Sequence, residues 1–172
     1  MLENHTPEAA PSLPSTERRG AFVTLHLGGR LRGCIGRLDT PDPLETLVAV
    51  CAVLAASRDP RFPPVQLQEV DALEIEISIL TPPEVVPSAE VLNRIEIGVH
   101  GVAITLDGHR GLLLPQVAPE LGWNALRLLE ETCRKAGLPS QSWRDPEARI
   151  ELFTAEIFSE SEIPARPAGT AG

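Results

Sequence analysis

Residues 21–36 read AFVTLHL-GG-RLRGCIG, two extended runs (Ala21–Leu27 and Arg30–Gly36) joined by Gly28-Gly29. A glycine pair between such runs supplies the positive φ angles of a two-residue hairpin turn. That turn pairs Leu27 with Arg30, Leu25 with Arg32 and Val23 with Cys34. Side chains alternate faces along a strand. The pattern thus predicts Arg30, Arg32 and Cys34 on one face with Val23, Leu25 and Leu27. Phe22, Thr24, His26, Leu31 and Ile35 fall on the other.

After this hairpin, Asp42 is placed as a helix cap, Pro43 as the first helical residue and Glu45 three after the cap. Apolar residues at Leu44, Leu47, Val48, Cys51 and Leu54 recur at helical spacing, predicting a helix over 43–56 that Pro60 stops. Arg58–Val65 (RDPRFPPV) is a proline-stiffened loop. A strand follows with Leu73, Ile75, Ile77 and Ile79 on one face and Glu74, Glu76 and Ser78 on a face predicted to be wet. Residues 81–90 form a connection between two lobes. Val102–Leu106 and His109–Leu114 flank Asp107-Gly108, a second hairpin. Asn124–Ala136 is a helix that Gly137 and Pro139 terminate, and Ile150–Phe158 is a last strand. Hairpins imply antiparallel pairing, so the class is α+β. One domain is expected over 18–163, between a disordered lead-in, 1–17, and a disordered tail, 164–172.

The chain has 172 residues with 15 Lys and Arg against 24 Asp and Glu, a net charge of −9. Aromatic residues make up 3%, so the core must be aliphatic. Negative charge and few aromatic platforms disfavour nucleic acid. No apolar run approaches a membrane span, and the start lacks a signal-peptide pattern. Cys34, Cys51 and Cys133 lie far apart, which suggests neither disulfides nor a zinc site. Cytoplasmic residence with free thiols is the expectation. Trp123 and Trp143 are expected as anchors of a core or lobe interface.

Between residues 18 and 38 there are five arginines and no acid, a local reversal of sign. Arg32 and Cys34 are two apart, and a guanidinium that close favours a thiolate. Gly33 and Gly36 permit close backbone approach by a ligand or by another strand. The plainer reading is a structural hairpin with Cys34 as a small packed hydrophobe. Arg58, Asp59 and Arg61 form either an anion-binding rim or a local ion pair. A nucleophilic Cys needs a base, and the expected register puts His26 on the opposite face. His100 and His109 straddle a turn without metal-ligand spacing; neither a metal nor a cofactor is indicated.

LRGCIG (31–36), DPRFPPV (59–65), EIEISILTPPE (74–84), RGLLLPQVAPELGW (110–123), CRKAGL (133–138) and FTAEIF (153–158) follow one another in this order. As a set they resemble the AMMECR-domain family, whose prokaryotic members are called AmmeMemoRadiSam system protein A, over about residues 20–160. The resemblance implies a compact α+β fold with a larger and a smaller lobe and a cleft between them. It implies a functional site at Arg32, Gly33, Cys34, Ile35 and Gly36. It also implies a Memo-like protein and a radical S-adenosylmethionine enzyme as partners. Two departures stand out: residues 1–17 are proline-rich where many members carry a helix, and Val99-His100 precede Gly101 where many carry a charged pair ending in Asp. Two functions follow. One is an accessory or binding protein working through its cleft. The other is an enzyme with Cys34 as nucleophile, where Arg32, aided by Arg58 and Arg61, binds a small anionic substrate.

Overall fold

Strands β1 (Ala21–Leu27) and β2 (Arg30–Arg37) form the predicted hairpin in the computed structural model, which describes residues 18–162. Gly28 and Gly29 have φ of 57° and 73°, values that suit a tight hairpin turn and that glycine reaches without steric cost. Leu27 pairs with Arg30 and His26 with Leu31. Then the register slips. Leu25 faces Gly33, Thr24 faces Cys34 and Val23 faces Ile35, which leaves Arg32 as the extra residue of a β-bulge.

The expected pairs Leu25–Arg32 and Val23–Cys34 are therefore replaced, and every side chain after the bulge changes face. Cys34 joins Phe22, Thr24 and His26, while Ile35 joins Val23. The reason is tertiary. Helix α1 (Leu44–Ser57) covers the Val23 and Leu25 face with Leu44, Leu47, Cys51 and Ala55. Without the slip, Arg32 would stand opposite Leu25 inside that aliphatic layer, where an unpaired guanidinium is costly. With it, Gly33 takes the crowded position. A Cβ there would lie 2.2 Å from the Ala55 carbonyl oxygen. The helix itself begins one residue later than expected. Pro43 occupies the cap position, and Asp42 bonds Thr40 (3.1 Å) rather than the helix.

Strand β3 (Leu73–Leu80) pairs with β1 on its other edge, after a 3₁₀ turn at Leu67–Ala72. The chain then crosses to a second sheet through residues 81–90. This segment carries β4 (Glu84–Val86) and the start of α2 (Ser88–Arg94), both missed in the sequence. β5 (Gly101–Leu106) and β6 (His109–Leu113) form the second hairpin, with Asp107 at φ 50° and Gly108 at φ 78°. A short helix, α3 (Val117–Glu120), precedes α4 (Ala125–Lys135). Asn124 caps α4 by accepting from the Arg127 N–H, and Gly137 leaves it at φ 76°.

The expected strand over 150–158 is two strands. β7 (Arg149–Phe153) belongs to the second sheet and β8 (Ala155–Ser159) to the first. The break at Thr154 lies beside the first crossing. The Thr154 N–H donates to Thr81 Oγ1 (2.9 Å), and the Thr81 N–H donates to the Thr154 carbonyl (3.0 Å). The sheets run β2-β1-β3-β8 and β4-β7-β5-β6, and among the described residues the strand pairs are antiparallel. The fold is α+β, two sheets with their own helices.

The two sheets meet over Leu38, Leu80, Ala103, Leu114 and Phe153, all buried. This contact dries one end of the β3 face expected to be wet: Ser78 is fully buried and Glu76 half-buried, while Glu74 is exposed as expected. The second lobe's own core gathers Leu128, Leu129, Cys133 and Trp143, with Trp123 packed beside them. The expected termini, 1–17 and 164–172, lie outside the described residues. Among the described residues no helix is long and apolar enough to cross a membrane.

Candidate functional site

The register slip assembles the site. Cys34, Thr24 and Glu76 stand in one row across β2, β1 and β3 on the face turned toward the second lobe. Phe22 and His26 flank that row on β1. From the other lobe come Leu112, Leu114, Gln116, Val117, Glu120 and Lys135, and the two sets enclose a cavity of about 250 Å³. Gly111 makes the approach of α4 possible. A Cβ there would lie 2.6 Å from the Ala136 nitrogen and 2.7 Å from the Thr132 carbonyl oxygen. Because β6 lacks a side chain at that point, the last turn of α4 settles onto it and delivers Lys135 to the cleft.

Cys34 is held from both sides. It pairs with Thr24, whose hydroxyl donates to the Cys34 sulfur at 3.3 Å. Its outward N–H, on the edge strand of the sheet, donates to Asp59 Oδ2 at 2.9 Å. Asp59 is buried and also accepts from the Arg61 N–H (3.0 Å), Nε (3.0 Å) and Nη2 (2.7 Å). Arg61 Nη2 reaches the Cys34 carbonyl at 3.4 Å. The proline loop thus clips the edge of β2 and satisfies backbone groups that an edge strand leaves open. The Arg61 guanidinium holds the Asp59 carboxyl well below the usual carboxylate range, helped by the two N–H donors. Asp59 in turn pushes the Arg61 pKa up.

Lys135 is the only lysine in the chain, and among the described residues it makes no ion pair. Much of its side chain is exposed, yet its pKa is lowered. Desolvation is the main cause; Cys34 opposes it and Arg61 adds to it. The two cations therefore feel one another across the cleft. On the second-lobe side, Gln116 Nε2 donates to Ser78 Oγ (3.4 Å) and Glu76 Oε1 (3.5 Å). Gln116 Oε1 is enclosed and has no donor among the described residues.

The residues singled out in the sequence separate. Cys34 and Arg61 line the cavity. Arg32 does not: its Nε and Nη2 donate to the two oxygens of Glu69 (2.8 and 2.9 Å), and it also donates to the Pro63 and Pro64 carbonyls. This pairing raises the Arg32 pKa and lowers that of Glu69 to about 2. Gly33 lies under α1, and Gly36 against the Phe22 ring, 2.2 Å from where a Cβ would stand. Ile35 packs in the α1 core, and Arg58 is an exposed residue at the end of α1. His26, assigned to the opposite face in the sequence, shares the cavity with Cys34.

Thr24, Glu76, Gln116, Glu120 and Lys135 were not singled out in the sequence. The only signal for the last was its being the sole lysine. Cys51 and Cys133 are buried, and burial raises both pKa values. His100 Nδ1 accepts from the Glu96 N–H in a turn, and His109 opens β6. Among the described residues no group of His, Cys, Asp and Glu could hold a metal ion. A second hollow of about 200 Å³, between Arg18, Arg19, Asp39 and Pro82, holds neither thiol nor imidazole.

Comparison with known proteins gives a consistent result. The family model described as AMMECR1 matches residues 2–158. A protein of Methanothermobacter thermautotrophicus is 48% identical over 147 residues, covering 84% of this chain and 77% of its own. One from Methanocaldococcus jannaschii is 46% identical over 151 residues, covering 85% and 75%. A Pyrococcus horikoshii protein of known crystal structure superposes with a TM-score of 0.81 at 45% identity, covering 89% of this chain and 78% of that one.

Proposed function

The chain belongs to the AMMECR1 family, and on that premise we propose that it binds a small anionic ligand in the interlobe cleft. It does so as an accessory component working with a Memo-like protein and a radical S-adenosylmethionine enzyme. The observation behind this reading is the meeting of Arg61 from one lobe with Lys135 from the other at a cavity that also holds Cys34. Bringing two cations together is unfavourable until an anion lies between them. A carboxylate or phosphate there gains charge-assisted hydrogen bonds from both. The Asp59 pair engages Nε and Nη2 of Arg61 and leaves Nη1 for a ligand.

Titration with N-acetylglycine, followed by amide chemical shifts, tests the reading. Shifts should cluster around Cys34, Arg61 and Lys135, and Lys135→Gln should weaken binding about tenfold, the worth of one hydrogen bond to a charged group. Absence of shifts at the cleft, or unchanged affinity in Lys135→Gln, would remove it. The partner half of the reading requires the purified chain to co-sediment with a Memo-like protein.

A second reading, catalysis by the Cys34 thiol, is favoured by one observation. The bulge places His26 in the same cavity as Cys34, two residues along β1 from the Thr24 that pairs with it, which supplies a candidate base for the nucleophile. Loss of turnover in Cys34→Ser with ligand affinity retained would support catalysis. Retained turnover would exclude it.

A further inference from the structure

The cleft is not uniformly basic. Cys34 and Glu76 occupy the two ends of one cross-strand row, separated by β1. Adjacent strands lie about 4.8 Å apart, so their backbones are roughly 10 Å apart. Arg61 is fastened to the Cys34 end. At the other end, Gln116 fastens its amide nitrogen to Glu76 and Ser78. The acceptor that faces the cavity at this end is the Glu76 carboxylate. A cationic donor arriving there gains a charge-assisted hydrogen bond. A ligand carrying only an anion would leave that carboxylate unanswered and would face a charge of its own sign.

Resting on the anion-binding reading above, we infer that the cleft takes a small zwitterion of amino-acid or dipeptide size. Its carboxylate lies between Arg61 and Lys135, and its ammonium on Glu76. An ammonium offers three donors and the complementary charge, which a hydroxyl does not. The volume agrees. At about 30 Å³ per water, the cavity of about 250 Å³ holds the equivalent of roughly eight waters. Phe22, Leu112 and Val117 give it an apolar wall for the ligand's carbon atoms.

The test compares glycylglycine, N-acetylglycine and glycine N-methylamide on the intact chain by chemical-shift titration at millimolar concentration. These carry both charges, the carboxylate alone and the ammonium alone. Glycylglycine should bind about tenfold more tightly than N-acetylglycine, one charge-assisted hydrogen bond apart. Glu76→Gln, which keeps the side chain's shape, should remove that advantage, so that glycylglycine and N-acetylglycine bind the variant alike. Equal affinity of glycylglycine and N-acetylglycine at the cleft would overturn the zwitterion while leaving anion binding in place. Equal loss of both ligands in Glu76→Gln would do the same. Binding of neither would overturn both.

Discussion

Replacing Gly33 by alanine separates a packing role from a ligand contact within the RGCIG motif. The added Cβ would stand 2.2 Å from the Ala55 carbonyl oxygen and 3.1 Å from its carbon, against 3.4 Å for an ordinary contact. About 1.2 Å must be recovered by moving β2 or the last turn of α1, and both are main chain. The helix cannot withdraw freely, because Leu47, Cys51 and Ala55 are buried against Val23 and Leu25. Overpacking of this kind costs about 1–3 kcal/mol, and backbone on both sides argues for the upper end. At 2–4 °C per kcal/mol for a chain of this size, the melting temperature should fall by roughly 6–12 °C. Thermal unfolding followed by circular dichroism reads this directly, with N-acetylglycine affinity measured below the transition. Affinity should stay within a few-fold of the parent. A melting temperature unchanged within about 2 °C, together with lost binding, would refute the reasoning and make Gly33 a ligand contact.

Asp59→Asn places an amide NH₂ or a single acceptor where two oxygens now serve four donors, and should cost about 2 kcal/mol in urea unfolding. Because the folded Asp59 pKa is depressed, its contribution is fully present above the unfolded value of about 3.9 and is lost as pH falls through the folded value. The parent should therefore lose stability more steeply than Asp59→Asn below about pH 4. Glu69 behaves with the same sign between 4.5 and about 2. Arg32→Ala should raise hydrogen exchange across residues 63–72, whose carbonyls and Glu69 it holds, with little change at the cleft; lost ligand binding without faster exchange would contradict this. Lys135, its pKa lowered, should be acylated faster at neutral pH than an exposed lysine peptide, and bound N-acetylglycine should slow the reaction.

Both hairpins were legible because Gly28-Gly29 and Asp107-Gly108 take φ values that few other residues accept. α1 and α4 were legible from apolar spacing, and the Asn124 cap from its residue type. The bulge was not, since its cause is α1 lying over Leu25, a contact between segments distant in sequence. That single slip moved Cys34 to the other face and brought His26 to it. The break at Thr154 was invisible for a similar reason. IELFTAEIF carries no turn residue to mark a break, and the hydrogen bonds to Thr81 show where the chain changes sheets. Arg32 attracted attention through its neighbour Cys34, but its partner Glu69 lies 37 residues away. Lys135 reads locally as a cation favoured by a helix C-terminus, and nothing in its own segment points to the cleft.

The central claim is that Cys34 faces a cleft that a small anion occupies, and alkylation tests it in one experiment. Cys34 is half-buried, while Cys51 and Cys133 are buried, so iodoacetamide should label one thiol in the native chain and three after denaturation. Saturating N-acetylglycine should slow native labelling at Cys34 several-fold, because the ligand lies between the reagent and the sulfur. Labelling of Cys34 at the same rate with and without ligand, or none before denaturation, would contradict the account.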